Sequence, residues 1–136
     1  MIELEVTKQH VVKAEEKSRE MGVLNNSIRQ GRGNICGFVG EAVMQDYFNA
    51  KEANTYDYDL IINDGKKVDV KTKQTKVKPR DYYDCSISNF NTKQGCDYYA
   101  FVRVNNELTK AWFLGLVDKE SYFENYVFEE KNNLDS

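Results

Sequence analysis

The sequence predicts an α/β domain, a mixed sheet of about five strands flanked by helices. Three observations carry this. Apolar residues recur at helical spacing in the first third of the chain, strand-forming runs separated by turn residues follow from Tyr56 to Val117, and 136 residues suffice for one core but not for two ordinary domains. A hydrophobic content of 40%, a charged content of 30% and a single proline describe a folded chain, so residues 1–136 are expected to form one domain.

The N-terminal segment, residues 1–26, reads as a helix, with Thr7 to about Asn25 carrying a thin apolar stripe of Val11, Val12, Ala14, Met21 and Leu24 among many charges. Asn25 to Asn34 holds Gly31 and Gly33 with Arg29 and Arg32 between them and reads as a loop, Asn34 serving as the N-cap of a second helix. From Ile35 to about Phe48 apolar residues occupy more than one face, so this helix is expected to be largely buried, with Gly37 and Gly40 allowing close approach to a sheet. Glu41 lies beside them. Periodicity alone leaves two readings for it: a helix-edge carboxylate in water, or a buried one, which then needs a partner.

Tyr56 to Gln74 reads as a β-hairpin. Leu60-Ile61-Ile62 and Val68-Asp69-Val70 are strand formers, and Asn63-Asp64-Gly65 suits a three-residue loop with Gly65 left-handed. That loop places Leu60 opposite Val68, Asp59 opposite Asp69 and Asp57 opposite Lys71. Val68 and Val70 then face the core, while Asp69 and Lys71 project together on the other face beside Asp59. Further strands are expected at Tyr83 to Ser88, Tyr98 to Val104 and Ala111 to Val117, the last two joined through Asn105-Asn106. Asn89 to Asp97 is short for a helical crossover. Ser121-x-x-Glu124 offers a capping box for a C-terminal helix, and Lys131 to Ser136 is expected to fray.

Several function classes are excluded. Cys36, Cys85 and Cys96 are odd in number and lack CxxC pairing, so they encode neither a disulfide framework nor a zinc ribbon and read as reduced buried thiols. His10 is the only histidine, which removes sites built on several imidazoles, and no phosphate-binding GxxxxGK[ST] occurs. The longest apolar run, Ala111 to Val117, falls well short of the roughly 20 residues of a membrane helix, and Met1 to His10 has no signal-peptide core. No membrane association and a cytoplasmic location are the expectations. Chemistry, if present, runs on carboxylates and lysines.

The net charge of −3 hides a strong asymmetry: Lys66 to Arg80 sums to +6, which leaves −9 elsewhere. Such a run is either a solvated face or a phosphate-binding one. It also holds Asp69 and Lys71 of the hairpin's charged face, where Asp59 and Asp69, directly opposed, require a positive charge between them. Lys71 supplies one as a structural salt bridge; a divalent cation on oxygen ligands is the other solution.

At these residues the sequence resembles the PD-(D/E)XK nuclease superfamily, restriction-endonuclease-like proteins, and in particular its small resolvase-like members. The helix Gly37 to Phe48 with Glu41, the hairpin aspartate Asp59, and Asp69-Val70-Lys71 as D-x-K fill the superfamily's positions in order, and the likeness spans about Asn34 to Phe123. Tyr58 stands where the motif has proline, and the expected crossover is short.

The resemblance implies a restriction-endonuclease-like core and Mg²⁺-dependent phosphodiester hydrolysis on DNA, with Mn²⁺ able to substitute. It implies Asp59, Asp69 and the Val70 carbonyl as metal ligands, Glu41 as a further ligand, and Lys71 as the group that orients or deprotonates the attacking water and offsets phosphate charge. Lys73, Lys76, Lys78 and Arg80, with Arg29 and Arg32, are the candidate DNA contacts. Cutting two antiparallel strands with one site per chain points to a homodimer. Two other classes stay in view: an inactive nucleic-acid-binding module of the same fold, and a small acidic regulatory or inhibitor protein.

Overall fold

A computed structural model describes residues 1–25, 28–53, 58–79 and 95–121, with the side chains of residues 21–34 outside the description. Within it the chain is α/β: a six-stranded mixed sheet with two long helices. Strand β1 (Ile2–Glu5) leads into α1 (Lys8–Asn25) and α2 (Ile28–Phe48), followed by β2 (Lys51–Glu52), β3 (Leu60–Ile61), β4 (Lys67–Thr75), β5 (Tyr98–Asn105) and β6 (Lys110–Asp118). The spatial order is β1-β6-β5-β4-β3-β2.

The expected hairpin forms in its expected register. Leu60 lies opposite Val68 and Ile61 opposite Lys67, the Ile62 N–H donates to Lys66 O at 3.0 Å, and Gly65 adopts φ 81°, the left-handed turn conformation glycine tolerates. Asp57 lies outside the described residues. β4 pairs in parallel with β5, Val68 opposite Tyr98 through Thr75 opposite Asn105. Asp97 ties the two starts together: its N–H donates to Lys67 O at 2.8 Å and its carboxylate accepts from Lys67 N at 2.9 Å. Most of the segment read as short for a crossover, residues 89–94, lies outside the described residues. The strand expected at Tyr83 to Ser88, Cys85, Glu124 and the tail from Lys131 all lie outside the described residues.

Side-chain alternation gives the sheet two buried faces. On one, Leu60, Val68, Val70, Ala100, Val102, Val104, Ala111 and Phe113 pack against Val39, Val43 and Met44 of α2. On the other, Tyr99 and Phe101 cluster with Cys96. Gly40 is where α2 meets the sheet most closely: a Cβ there would lie 2.0 Å from Thr72 Oγ1, whereas one at Gly37 would meet nothing within 4 Å. Of the two glycines only Gly40 is needed for the approach.

Four expectations are corrected. Among the described residues the sheet has six strands, because β1 pairs with β6 and the two-residue β2 pairs with β3. In place of one helix over residues 1–26, Ile2–Glu5 is a strand and Lys8–Asn25 a helix; Thr7 caps that helix, its Oγ1 accepting from His10 N at 3.2 Å while its own N–H donates to His10 Nδ1 at 3.0 Å. The second helix starts at Ile28, so Arg29, Gly31, Arg32 and Gly33 are helical and Asn34 is no cap; antiparallel packing of α2 on α1 outweighs the roughly 1 kcal/mol a mid-helix glycine costs. At the C-terminal turn Asp118, not Ser121, is the cap, its Oδ1 accepting from Ser121 N at 3.2 Å.

Candidate active site

Asp59 enters the site because the hairpin opens there. Its N–H donates to Val68 O at 3.0 Å and its carbonyl accepts from Ala53 N at 2.9 Å, clamping the backbone between β4 and the chain after β2. One residue outside β3, the ladder gives way to the side chain, and Asp59 Oδ2 accepts the Val70 N–H at 2.8 Å. Asp69 and Lys71 stand on the same face of β4, two residues apart, with Lys71 Nζ 2.7 Å from Asp69 Oδ2. Asp69 is only 4% exposed. Lys71 also lies 5.8 Å above the ring of the buried Tyr99, directly across from Asp69 on β5.

Glu41 arrives from α2, one residue beyond the close approach at Gly40, and its carboxyl adjoins that of Asp59, which in turn neighbours Asp69. Its side chain is 16% exposed and pairs with Lys17 at 3.0 Å, so of the two readings of this carboxylate the partnered one holds. All four residues singled out by the sequence, Glu41, Asp59, Asp69 and Lys71, therefore converge. Two of them, Glu41 and Asp59, line a cleft between α1, α2 and β3 together with Lys13, Lys17, Phe38 and Gln45 among others, with a volume of about 10 Å³, near the lower limit for one water.

The electrostatics of the row are those of crowded carboxyls. Burial first, and then the adjoining Glu41 carboxyl, push Asp59 up to about 8 against the pull of the Val70 N–H. Burial and the charge of Asp59 push Asp69 up to about 7, opposed by the Lys71 ammonium. Both shifts favour the protonated forms of Asp59 and Asp69. Among the described residues no group of three or more His, Cys, Asp or Glu side chains is placed to hold a metal ion. The donor chemistry nonetheless fits a hard divalent cation, since the set is buried, all oxygen, and short of positive charge.

The basic run continues from the site. Lys73 is exposed on β4 on the side of Asp69 and Lys71, and Lys76 and Lys78 are exposed just past the strand, flanking a Val77 that is 72% exposed. Arg80 lies outside the described residues; Arg29 and Arg32 are on the first half of α2, their side chains undescribed. Sequence reasoning missed Lys13 and Lys17. The signal was present as two pairs at four-residue spacing, Lys13/Lys17 and Glu41/Gln45, but reading it requires knowing that α1 and α2 run antiparallel.

Compared with known proteins, the chain matches no family model and no curated protein. No helix among the described residues is long and apolar enough to cross a membrane.

Proposed function

We propose that this chain is a divalent-cation-dependent endonuclease of restriction-endonuclease-like core that hydrolyses phosphodiester bonds in DNA. The observation that carries the reading is the meeting of Asp59, Asp69 and Lys71 on one hairpin with Glu41 from α2, their charged groups adjoining in a row. Asp59, Asp69 and the Val70 carbonyl, with Glu41, would hold Mg²⁺ or Mn²⁺. Bound there, the ion supplies Lewis-acid polarisation of a phosphate and acidifies water. Lys71, held by Asp69 and backed by the Tyr99 ring, presents an ammonium to the charge that develops on the phosphate, or takes part in moving the proton of the attacking water. Lys73, Lys76 and Lys78 lie along the same strand and its exit, where phosphate contacts would set the position of the backbone without reading sequence; Arg80, Arg29 and Arg32 are assigned to the same task on charge alone. A homodimer, which sedimentation tests, would present two such sites to two strands.

Incubation with labelled linear, nicked, branched and single-stranded DNA, and with RNA, tests the reading. Cleavage is expected in Mg²⁺ and not in EDTA, and is lost in Asp69→Asn. Binding of DNA with no cleavage of any substrate would instead assign the chain to the inactive modules of this architecture.

A further inference from the structure

Helix α1 reaches the candidate site through two lysines one turn apart. Lys13 Nζ donates to Gln45 Oε1 and lies 2.7 Å from Glu52 Oε2, and Lys17 Nζ lies 3.0 Å from Glu41 Oε2. Stepping four residues forward on α1 steps four back on α2, the register of antiparallel helices. Lys17 is at the end of this seam where Glu41 meets Asp59. Its ammonium is held from a second side by the Phe38 ring, 5.0 Å away. With side-chain exposures of 21% and 16%, Lys17 and Glu41 are not the loose surface pair that contributes little. The two ammonium groups of Lys17 and Lys71 bracket the row Glu41, Asp59, Asp69.

We propose that Lys17 is a positioning residue of this site: its ammonium fixes the Glu41 carboxylate beside Asp59 and, by neutralising part of the row's charge, sets how tightly the row takes up a divalent cation. This rests on the nuclease reading above. The two roles pull in opposite directions, which makes the assignment testable. Lys17→Met keeps the apolar stem over Phe38 and deletes the charge. A positive charge removed from within a few ångströms of a cation site should tighten divalent binding by about 3- to 10-fold, whereas releasing Glu41 should lower turnover by about tenfold.

The experiment is a calorimetric Mn²⁺ titration of the full chain paired with kcat and KM on the DNA substrate. Lys17→Met is expected to bind Mn²⁺ more tightly, lose kcat and keep KM, while Lys17→Arg restores kcat by rebuilding the ion pair. Loss of packing alone would weaken Mn²⁺ binding and lower the melting temperature together. Should Lys17→Met fail to fold, Lys17→Gln, uncharged but still able to donate to Glu41, is expected to shift Mn²⁺ affinity in the same direction. Unchanged or weakened Mn²⁺ affinity in the folded variant overturns the assignment. A parent that binds Mn²⁺ and cuts, with Lys17→Met identical in both, overturns Lys17 alone. A parent that binds Mn²⁺ without cutting overturns the nuclease reading and leaves the affinity comparison to decide Lys17, and a parent that binds no Mn²⁺ overturns both.

Discussion

Asp59 and Asp69 are carboxyls in the wrong surroundings for a stable ion-free protein, and their cost is measurable. Held near 8 and near 7, they keep protons in the folded chain that an unfolded aspartate, near 3.8, has already released. A raised carboxyl pKa therefore makes folding progressively less favourable as pH rises from about 4 to about 8, by up to about 1.4 kcal/mol per pH unit for each group. In EDTA, Asp59→Asn removes one of these groups and relieves the other, so its stability advantage over the parent should widen across that interval, as read by thermal unfolding at successive pH values. An advantage that stays flat or shrinks would contradict the coupling. Lys71 makes a separate prediction. Deleting it removes no carboxyl, so Lys71→Ala should retain Mn²⁺ and DNA binding while cleavage falls by about 10² or more, the usual cost of losing one preorganised charge or proton-transfer group. Cleavage equal to the parent's would remove Lys71 from the chemistry.

Among the elements, the β3–β4 hairpin was legible because its signals are local: alternating strand residues, a loop of fixed length and a glycine free to take φ 81°. Strand β1 was not. Its four residues, two of them glutamates, become a strand by pairing with β6 more than a hundred residues later, and Glu3 then accepts from Trp112 Nε1 at 3.1 Å; nothing local announces a partner so distant. The start of α2 was misplaced for a related reason, since Gly31 and Gly33 are local helix breakers and the packing that overrides them is tertiary. The approach of α2 to β4, which delivers Glu41, hangs on Gly40. Gly40→Ala places a methyl 2.0 Å from Thr72 Oγ1 and should destabilise the chain by about 1–3 kcal/mol. Thr72→Ala in the same chain should recover part of that loss in a double-mutant cycle by chemical denaturation; strictly additive effects would show that the helix and strand do not touch as described.

At the scale of the whole molecule, the α/β class and the convergence of Glu41, Asp59, Asp69 and Lys71 were legible, because alternation assigns faces and the order of motifs assigns elements. The direct parallel pairing of β4 with β5 and the α1–α2 seam with Lys17 were not, since both depend on how distant segments dock. The charge asymmetry also acts at this scale. A +6 segment in a chain of net −3 should hold DNA through phosphates alone. Lys76→Glu with Lys78→Glu is therefore expected to weaken binding equally on unrelated sequences and to flatten its dependence on salt, checked by fluorescence anisotropy between low and moderate ionic strength; sequence-dependent or absent effects would place the DNA elsewhere.

The central claim is that the carboxyl row is a cation site, and calorimetric titration of Mn²⁺ into the parent and into Asp69→Asn near neutral pH tests it most directly. The parent should bind at or below millimolar concentration, with a heat that varies with the buffer's ionisation enthalpy because the ion displaces protons the row retains, and Asp69→Asn should lose most of that affinity. No binding by the parent, or binding that Asp69→Asn leaves intact, would contradict it.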